Sequence, residues 1–382
     1  MADPTPPPDE PAAGADDAPA AGRGASRRAF LRRAGVGGAA LLGGIGGGFA
    51  AQRALPPAAA AEPGGAGLHA SHGGARIERP TIGAGGGPAG PISEANSGTG
   101  TLYGHVTEPP RGLTESSLDA VTVPPPYDGR PAGVTREFEL VVTEKHLQVG
   151  GDAVVDGWVY NGTAPGPVLR ATEGDTLRIT LHNRTSHPHN LHLHGRHSPQ
   201  ADGWEPIAPG SSTTYELVAA PFGVHPYHCH VPPLAEHISR GLFGTLIVDP
   251  PGGRPPAHEV VLVLNGWDLD GDGVNDLYAF NGVAGFFHTY PIKVPVGEPV
   301  RAYVVNMTEY DLLGSFHLHA QTFDVFWQGT SLEPDLHGDV VTLAQSDRAV
   351  LEFTLPERGR YMFHPHQHHM ADRGAMGWFA AI

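Results

Sequence analysis

The sequence predicts an all-β protein built from two tandem Greek-key β-sandwich domains, and three observations carry that prediction. Apolar and β-branched residues recur in short runs of strand length, with no extended helical periodicity. The 382 residues include 53 Gly and 38 Pro, a load that suits many turns. The second half also repeats the plan of the first at a spacing of about 120 residues, too long for a solenoid and right for two similar sandwiches.

Taken in order, residues 1–61 read as an export address rather than a fold. Ser26-Arg27-Arg28-Ala29-Phe30-Leu31-Arg32 resembles a twin-arginine signal; a weakly apolar stretch from Ala34 to Ala51 follows, and Ala58 to Ala61 suits a signal peptidase. Such a signal implies work outside the cytoplasm, in the periplasm, at the cell surface or beyond. Residues 62–134 are rich in Gly, Pro and Ala and read as a linker or a loosely attached arm. The first domain is expected over 135–252. Glu137–Val142 alternates as a strand, Gly150-Gly151-Asp152 turns, and Val168–Ala171, Thr176–Leu181, Thr213–Leu217 and Gly244–Val248 are further strands. Pro250-Pro251-Gly252-Gly253 with Pro255-Pro256 marks a boundary, and the second domain is expected over 253–382, with strands at Glu259–Leu264, Pro299–Val305 and Ala349–Phe353.

Composition narrows the function. The net charge of −16 argues against nucleic acid and anionic membranes, which attract basic patches. A single cysteine excludes an internal disulfide framework. That cysteine stands in Tyr227-His228-Cys229-His230, with His189-Asn190-Leu191-His192-Leu193-His194 upstream and His237 downstream. One thiolate among imidazoles at strand spacing suits copper; zinc usually takes more cysteines or a helical His-x-x-x-His pattern. In a strand, residues two apart point the same way and neighbours point oppositely. His228 and His230 therefore face one side and Cys229 the other. The same parity places His192 and His194 together, with His189 opposite them. His189 and Cys229 are thus expected to share one metal, closed by His237, while His192, His194, His228 and His230 line a second site. The second half supplies His317-Leu318-His319 and His364-Pro365-His366, four more imidazoles at the same spacing, with Pro365 where the thiolate stands in the first half.

On these motifs, residues 135–382 resemble the two-domain multicopper oxidases (laccase-like), with cupredoxin domains and the blue copper in the first of them. The resemblance implies blue-copper ligands His189, Cys229 and His237. It implies a trinuclear cluster held by His192 and His317 at its mononuclear member and by His194, His228, His230, His319, His364 and His366 at its coupled pair, about four copper ions per chain in all. It also implies a homotrimer, each cluster being built between the first domain of one chain and the second domain of the next. The sequence leaves open whether the cluster forms between chains or within one.

Three smaller expectations follow. The axial position falls on Leu242, which cannot coordinate, so a blue site here is expected to have a raised reduction potential. Asp202, just after the first His-x-His-Gly, resembles the family's acidic residue near the cluster, a possible proton relay; a turn Asp before Gly203 is the plainer reading. The run Asp268-Leu269-Asp270-Gly271-Asp272-Gly273-Val274-Asn275-Asp276 resembles the start of a calcium loop, but Ala279 stands where the bidentate Glu belongs, and an acidic hairpin turn is the default.

Three functions compete. The leading one couples one-electron oxidation of phenols, aromatic amines or metal ions to the four-electron reduction of dioxygen to water. A copper nitrite reductase shares the architecture, but that family carries Asp where His192 stands, has no histidine after the cysteine and lacks the second domain's full set of four cluster histidines. A copper-binding or electron-carrier protein needs one blue site and leaves the second-half histidines unexplained.

Overall fold

The computed structural model describes residues 108–382, so the export signal and most of the 62–134 segment lie outside the described residues. A short helix, α1 (Asp119–Thr122), precedes the first domain. That domain comprises β1 (Thr135–Gly150), β2 (Ala153–Tyr160), β3 (Leu169–Thr172), β4 (Thr176–Asn183), β5 (His192–Leu193), β6 (Ser212–Val218) and β7 (Gly223–His228), then α2 (Leu234–Ser239) and β8 (Phe243–Asp249). Two four-stranded sheets, ordered β2-β1-β4-β6 and β3-β8-β7-β5, face each other. Alternation explains the packing: Leu177, Ile179 and Leu181 on β4 are buried beside Leu140 and Val142 of β1, while Arg178 and Thr180 point out.

The second domain runs through β9 (His258–Trp267), β10 (Leu277–Phe280), α3 (Phe286–Thr289), β11 (Ile292–Val294), β12 (Pro299–Asn306), β13 (Leu313–Leu318), β14 (Phe323–Trp327), β15 (Leu336–Gly338) and β16 (Val340–Ala344). It closes with β17 (Arg348–Thr354), β18 (Gly359–His364), α4 (His368–Asp372) and β19 (Gly377–Ala381). Its sheets are ordered β10-β9-β12-β17-β14-β15 and β11-β19-β18-β13-β16 around a core of Phe280, Phe316, Phe323, Phe363 and Phe379. The predominance of strands agrees with the all-β expectation.

The repeat is legible in individual hydrogen bonds. Asn161 accepts from Val141 N–H and donates to Glu139 O; Asn281 accepts from Val263 N–H and donates to Val261 O. Asn183 accepts from Thr185 N–H and Oγ1–H, as Asn306 does from Thr308. Each amide ties a turn to a strand end, the role for which Asn is suited.

The domains share buried surface. Val224, Phe243 and Ile247 of the first pack with Val261, Val263, Tyr303, Val305 and Val350 of the second. Beside this patch Arg170 donates to both oxygens of Asp249 (2.7 and 2.9 Å) and to Glu259 (2.6 Å), and Glu259 also accepts from Tyr303 Oη (2.6 Å). The described end of the 62–134 segment is packed, not loose. Thr122 accepts from Asn281, Pro125 O accepts from Arg170, and Asp175 accepts from Gly133 and Val134 N–H, so this arm runs across both domains. Its apolar anchor Val121 sits among prolines and has no strand or helix period, which is why composition alone read it as a linker.

Candidate metal centre

Cys229 follows directly on β7, and its sulfur is wholly buried. Across the sheet β5 pairs antiparallel with β7, setting His192 opposite His228. His189 lies three residues before β5, and His237 comes from α2, which the chain forms just after the His-Cys-His segment. The Nδ1 atoms of His189 and His237 are 3.1 Å apart, and Cys229 Sγ is 3.8 Å from the first and 3.2 Å from the second. Burial holds both imidazoles neutral, His189 down to about 3 and His237 to about 4, and pushes the Cys229 thiol up to about 11. Two neutral nitrogen donors and one sulfur converging at these distances, with His189 Nε2 buried and unpartnered, form a donor set that fits copper.

On the opposite face, His192, His194 and His228 bring ligand atoms within 4.8 Å of one another. The Nε2 atoms of His194 and His228 are 3.1 Å apart, and the His230 ring lies 5.2 Å from that of His192, beside this trio. The ring nitrogens are sorted by their partners. His192 Nδ1 donates to Asp202 at 2.7 Å and His228 Nδ1 to Cys229 O at 3.0 Å, so each presents Nε2 to a metal. Asp202 therefore sits on the back of a site histidine.

The second domain repeats the construction. His317, His319 and His364 form another such trio; His317 Nδ1 donates to Asp339 O, His364 Nδ1 to Pro365 O, and the Nε2 atoms of His319 and His364 are 2.9 Å apart. The His366 ring is 5.2 Å from His317. His319 and His366 are exposed, and His317 and His319 line an open hollow with Gln321, Thr322 and Asp339. The two sets of four histidines are separate groups in the chain.

Sequence reading missed several supporting residues. Asn190 Oδ1 accepts from His230 N–H at 2.6 Å, and Ser315 Oγ accepts from His366 N–H at 2.7 Å. Ala375 N–H donates to Met370 O as Leu242 N–H donates to His237 O, so Gly314, Pro365, Met370 and Ala375 occupy the places of His189, Cys229, His237 and Leu242. Apolar filling replaces the sulfur site in the second domain. Trp158 packs against His189, His237 and His187 at ring separations of 5.0, 4.7 and 4.9 Å, and no spacing rule pointed to it. The signal available for Asn190 and Ser315 was their shared place two residues before His192 and His317.

Leu242 is fully buried in the same apolar cluster as Cys229, and its carbonyl accepts from Cys229 N–H at 3.1 Å. Leu242→Met is close to volume-conserving and should fold, at a cost below about 1.5 kcal/mol. Redox titration of the copper-loaded protein is expected to give a lower potential for this variant, because a sulfur donor favours the oxidised ion; an unchanged potential contradicts the axial assignment.

The remaining candidate is the β9–β10 turn. The carboxylates of Asp268, Asp270 and Asp276 come within 4.8 Å of one another; Asp272 is outside this trio, and its Oδ1 takes Val274 N–H. Burial, then repulsion from Asp270 and its neighbours, raises Asp276 to about 6. Asp268 already accepts from Gly271, Asp272 and Gly273 N–H, as a hairpin turn does.

Two cupredoxin domains, one sulfur–imidazole site and two four-histidine sets define a copper protein that moves electrons. Comparison with known proteins agrees. Multicopper oxidase family models match residues 141–253 and 255–381. A crystal structure of a multicopper oxidase is 41% identical, with a TM-score of 0.65, covering 71% of this chain and 98% of that one. The copper-containing nitrite reductase of Neisseria gonorrhoeae is 30% identical over 291 residues, 68% of this chain and 73% of the relative. The copper nitrite reductase of Nitrosomonas europaea is 28% identical in structure comparison, with a TM-score of 0.60, covering 65% and 94%. The chain belongs to the multicopper oxidase family and is a copper-binding oxidoreductase.

Proposed function

We propose that this protein is a laccase-like oxidase that takes single electrons from small reductants beside His189, Cys229 and His237. A copper cluster that would reduce dioxygen to water would be held by His192, His194, His228, His230, His317, His319, His364 and His366. Copper, when bound, supplies the one-electron redox couple and the place where dioxygen is reduced. The protein's contribution is positional. Asn190 fixes the His230 backbone, while Asp202, Cys229 O, Asp339 O and Pro365 O fix imidazole rings. A carboxylate on His192 is also placed to hand on protons, the role proposed for Asp202.

The observation that carries this reading is the complete set of eight imidazoles, half of it in the second domain, where His317 and His319 line an open hollow and His366 is exposed. A cluster needs both halves, so we place it between two copies of the chain, in a closed ring of three. Exposed apolar side chains beside each half support burial there: Trp204, 63% exposed, lies 5.6 Å from His230, and Val340 on β16, 39% exposed, pairs with His317 on β13. The segment Ser26–Arg32 supports export by the twin-arginine route and work outside the cytoplasm. Calcium is no part of this reading, since Asp268 is already engaged by loop amides.

Nitrite reduction is the second reading, favoured by the two nitrite reductase relatives. One experiment separates them: incubation of the copper-loaded protein with a phenolic or dye reductant, with oxygen uptake recorded. Four electrons taken from reductant per dioxygen consumed supports the oxidase; nitrite loss with nitric oxide release, without oxygen uptake, supports the alternative.

A further inference from the structure

The sulfur–imidazole site has almost no surface of its own. His189 and Cys229 are fully buried and His237 is 4% exposed. Trp158 packs on both imidazoles, and its other neighbours are the partly exposed His187 and Arg240, the guanidinium lying 4.7 Å over the indole. A reductant approaching this face therefore meets the groups around Trp158 rather than the site's own side chains.

Beyond these two basic side chains stand acidic ones. Glu144, half exposed, lies 3.5 Å from His187 Nδ1 and accepts from Ser186 N–H and Oγ–H. Glu236, on α2 beside His237, pairs with Arg240 at 3.2 Å and so cancels the positive charge at this rim. Asp156, two residues before Trp158 on β2, pairs with His146. Burial opposes the charge of Glu144 only weakly; hydrogen bonds from Ser186 are the largest influence and hold it below its ordinary value, so it stays ionised through the neutral range. The chain as a whole carries −16, so the long-range field has the same sign as the rim.

We propose that Glu144 is a specificity-determining residue that favours cationic one-electron donors, small aromatic cations above all, over anionic ones at the Trp158 face, where Glu236 already offsets Arg240. The inference rests on the oxidase reading above. Each docked donor gives up one electron and leaves oxidised by one unit of charge. Four such electrons with four protons convert one dioxygen into two waters. An acidic rim binds the donor before transfer, so it acts on KM more than on kcat.

The test uses a matched pair of donors, ferrocenylmethyl-trimethylammonium and ferrocenecarboxylate, with the copper-loaded full chain. It also uses a redox-inert cation, trimethylphenylammonium, whose binding is read by calorimetry. The unaltered protein is expected to prefer the cationic donor. Glu144→Gln keeps the acceptor for Ser186 and removes the charge; it should lower the cation-to-anion ratio of kcat/KM about two- to fivefold, through KM. Glu144→Lys should lower it further, and both effects should shrink at high salt while the visible spectrum stays unchanged. Trimethylphenylammonium should bind more weakly to both variants. A ratio and an inert-cation affinity that neither substitution moves overturn the proposal. If neither ferrocene is oxidised, the oxidase reading falls and the rim is judged on the inert cation alone. Weaker binding to Glu144→Gln then supports it, and equal binding overturns it.

Discussion

Cys229→Ser is expected to abolish the intense blue absorption (about 600 nm) of a thiolate–copper site. Oxidase turnover should fall by more than about 100-fold, since even outer partners of metal ligands cost about 10–100-fold. The fold should survive. Cys229 is one small member of a large apolar cluster that includes Tyr160, Leu191, Leu193, Tyr227 and Leu242, and serine differs from it by a single atom. What is lost is specific: a sulfur that faces two imidazole nitrogens at 3.2 and 3.8 Å. Circular dichroism and the visible spectrum, measured together, check both halves of the expectation. A folded variant that is still blue removes Cys229 from the site.

Arg170→Met should cost about 3–5 kcal/mol of stability, the penalty for removing one partner of a buried ion pair. Arg170 and Asp249 are almost completely buried, and the guanidinium also reaches Glu259 across the domain boundary. Burial pushes Glu259 up, but hydrogen bonds from Arg170 and Tyr303 outweigh it and hold Glu259 below its usual 4.5. The sign follows from linkage: a depressed carboxylate stabilises the fold above its unfolded value and stops doing so as pH falls through the lower folded one. The unaltered protein should therefore keep this contribution above about pH 4.5. The variant, with Glu259 buried and less compensated, should be less stable near neutrality and should lose less on acidification, because protonating Glu259 then forfeits less attraction. Denaturant midpoints at fixed protein concentration from about pH 2 to 8 measure both effects; an unchanged midpoint and acid limb would show the network to be idle.

Much of the fold was legible in sequence because it depends on local rules. The alternation at Glu137–Val142 and Thr176–Leu181 gave β1 and β4, and Pro250–Pro256 marked the gap between β8 and β9. Pleat parity separated His189 and Cys229 from His192, His194 and His228 before any distance was known, and the structure groups them in the same way. Illegible features were those that depend on contacts far apart in sequence. At six residues α2 is too short to show a helical period, yet it delivers His237. Trp158 reaches the site from β2, about thirty residues ahead of His189, and only the folded sheet brings them together. The arm at 108–134 is bound by Asn281, Arg170 and Asp175, none adjacent to it in sequence.

The most direct measurement is anomalous diffraction at the copper edge from crystals of the copper-loaded protein. The expected map shows about four copper positions per chain. One lies among His189, Cys229 and His237, and three lie between the His192, His194, His228, His230 set of one copy and the His317, His319, His364, His366 set of the next. A single copper at Cys229, with the second-domain histidines bare and turned to solvent, would contradict it.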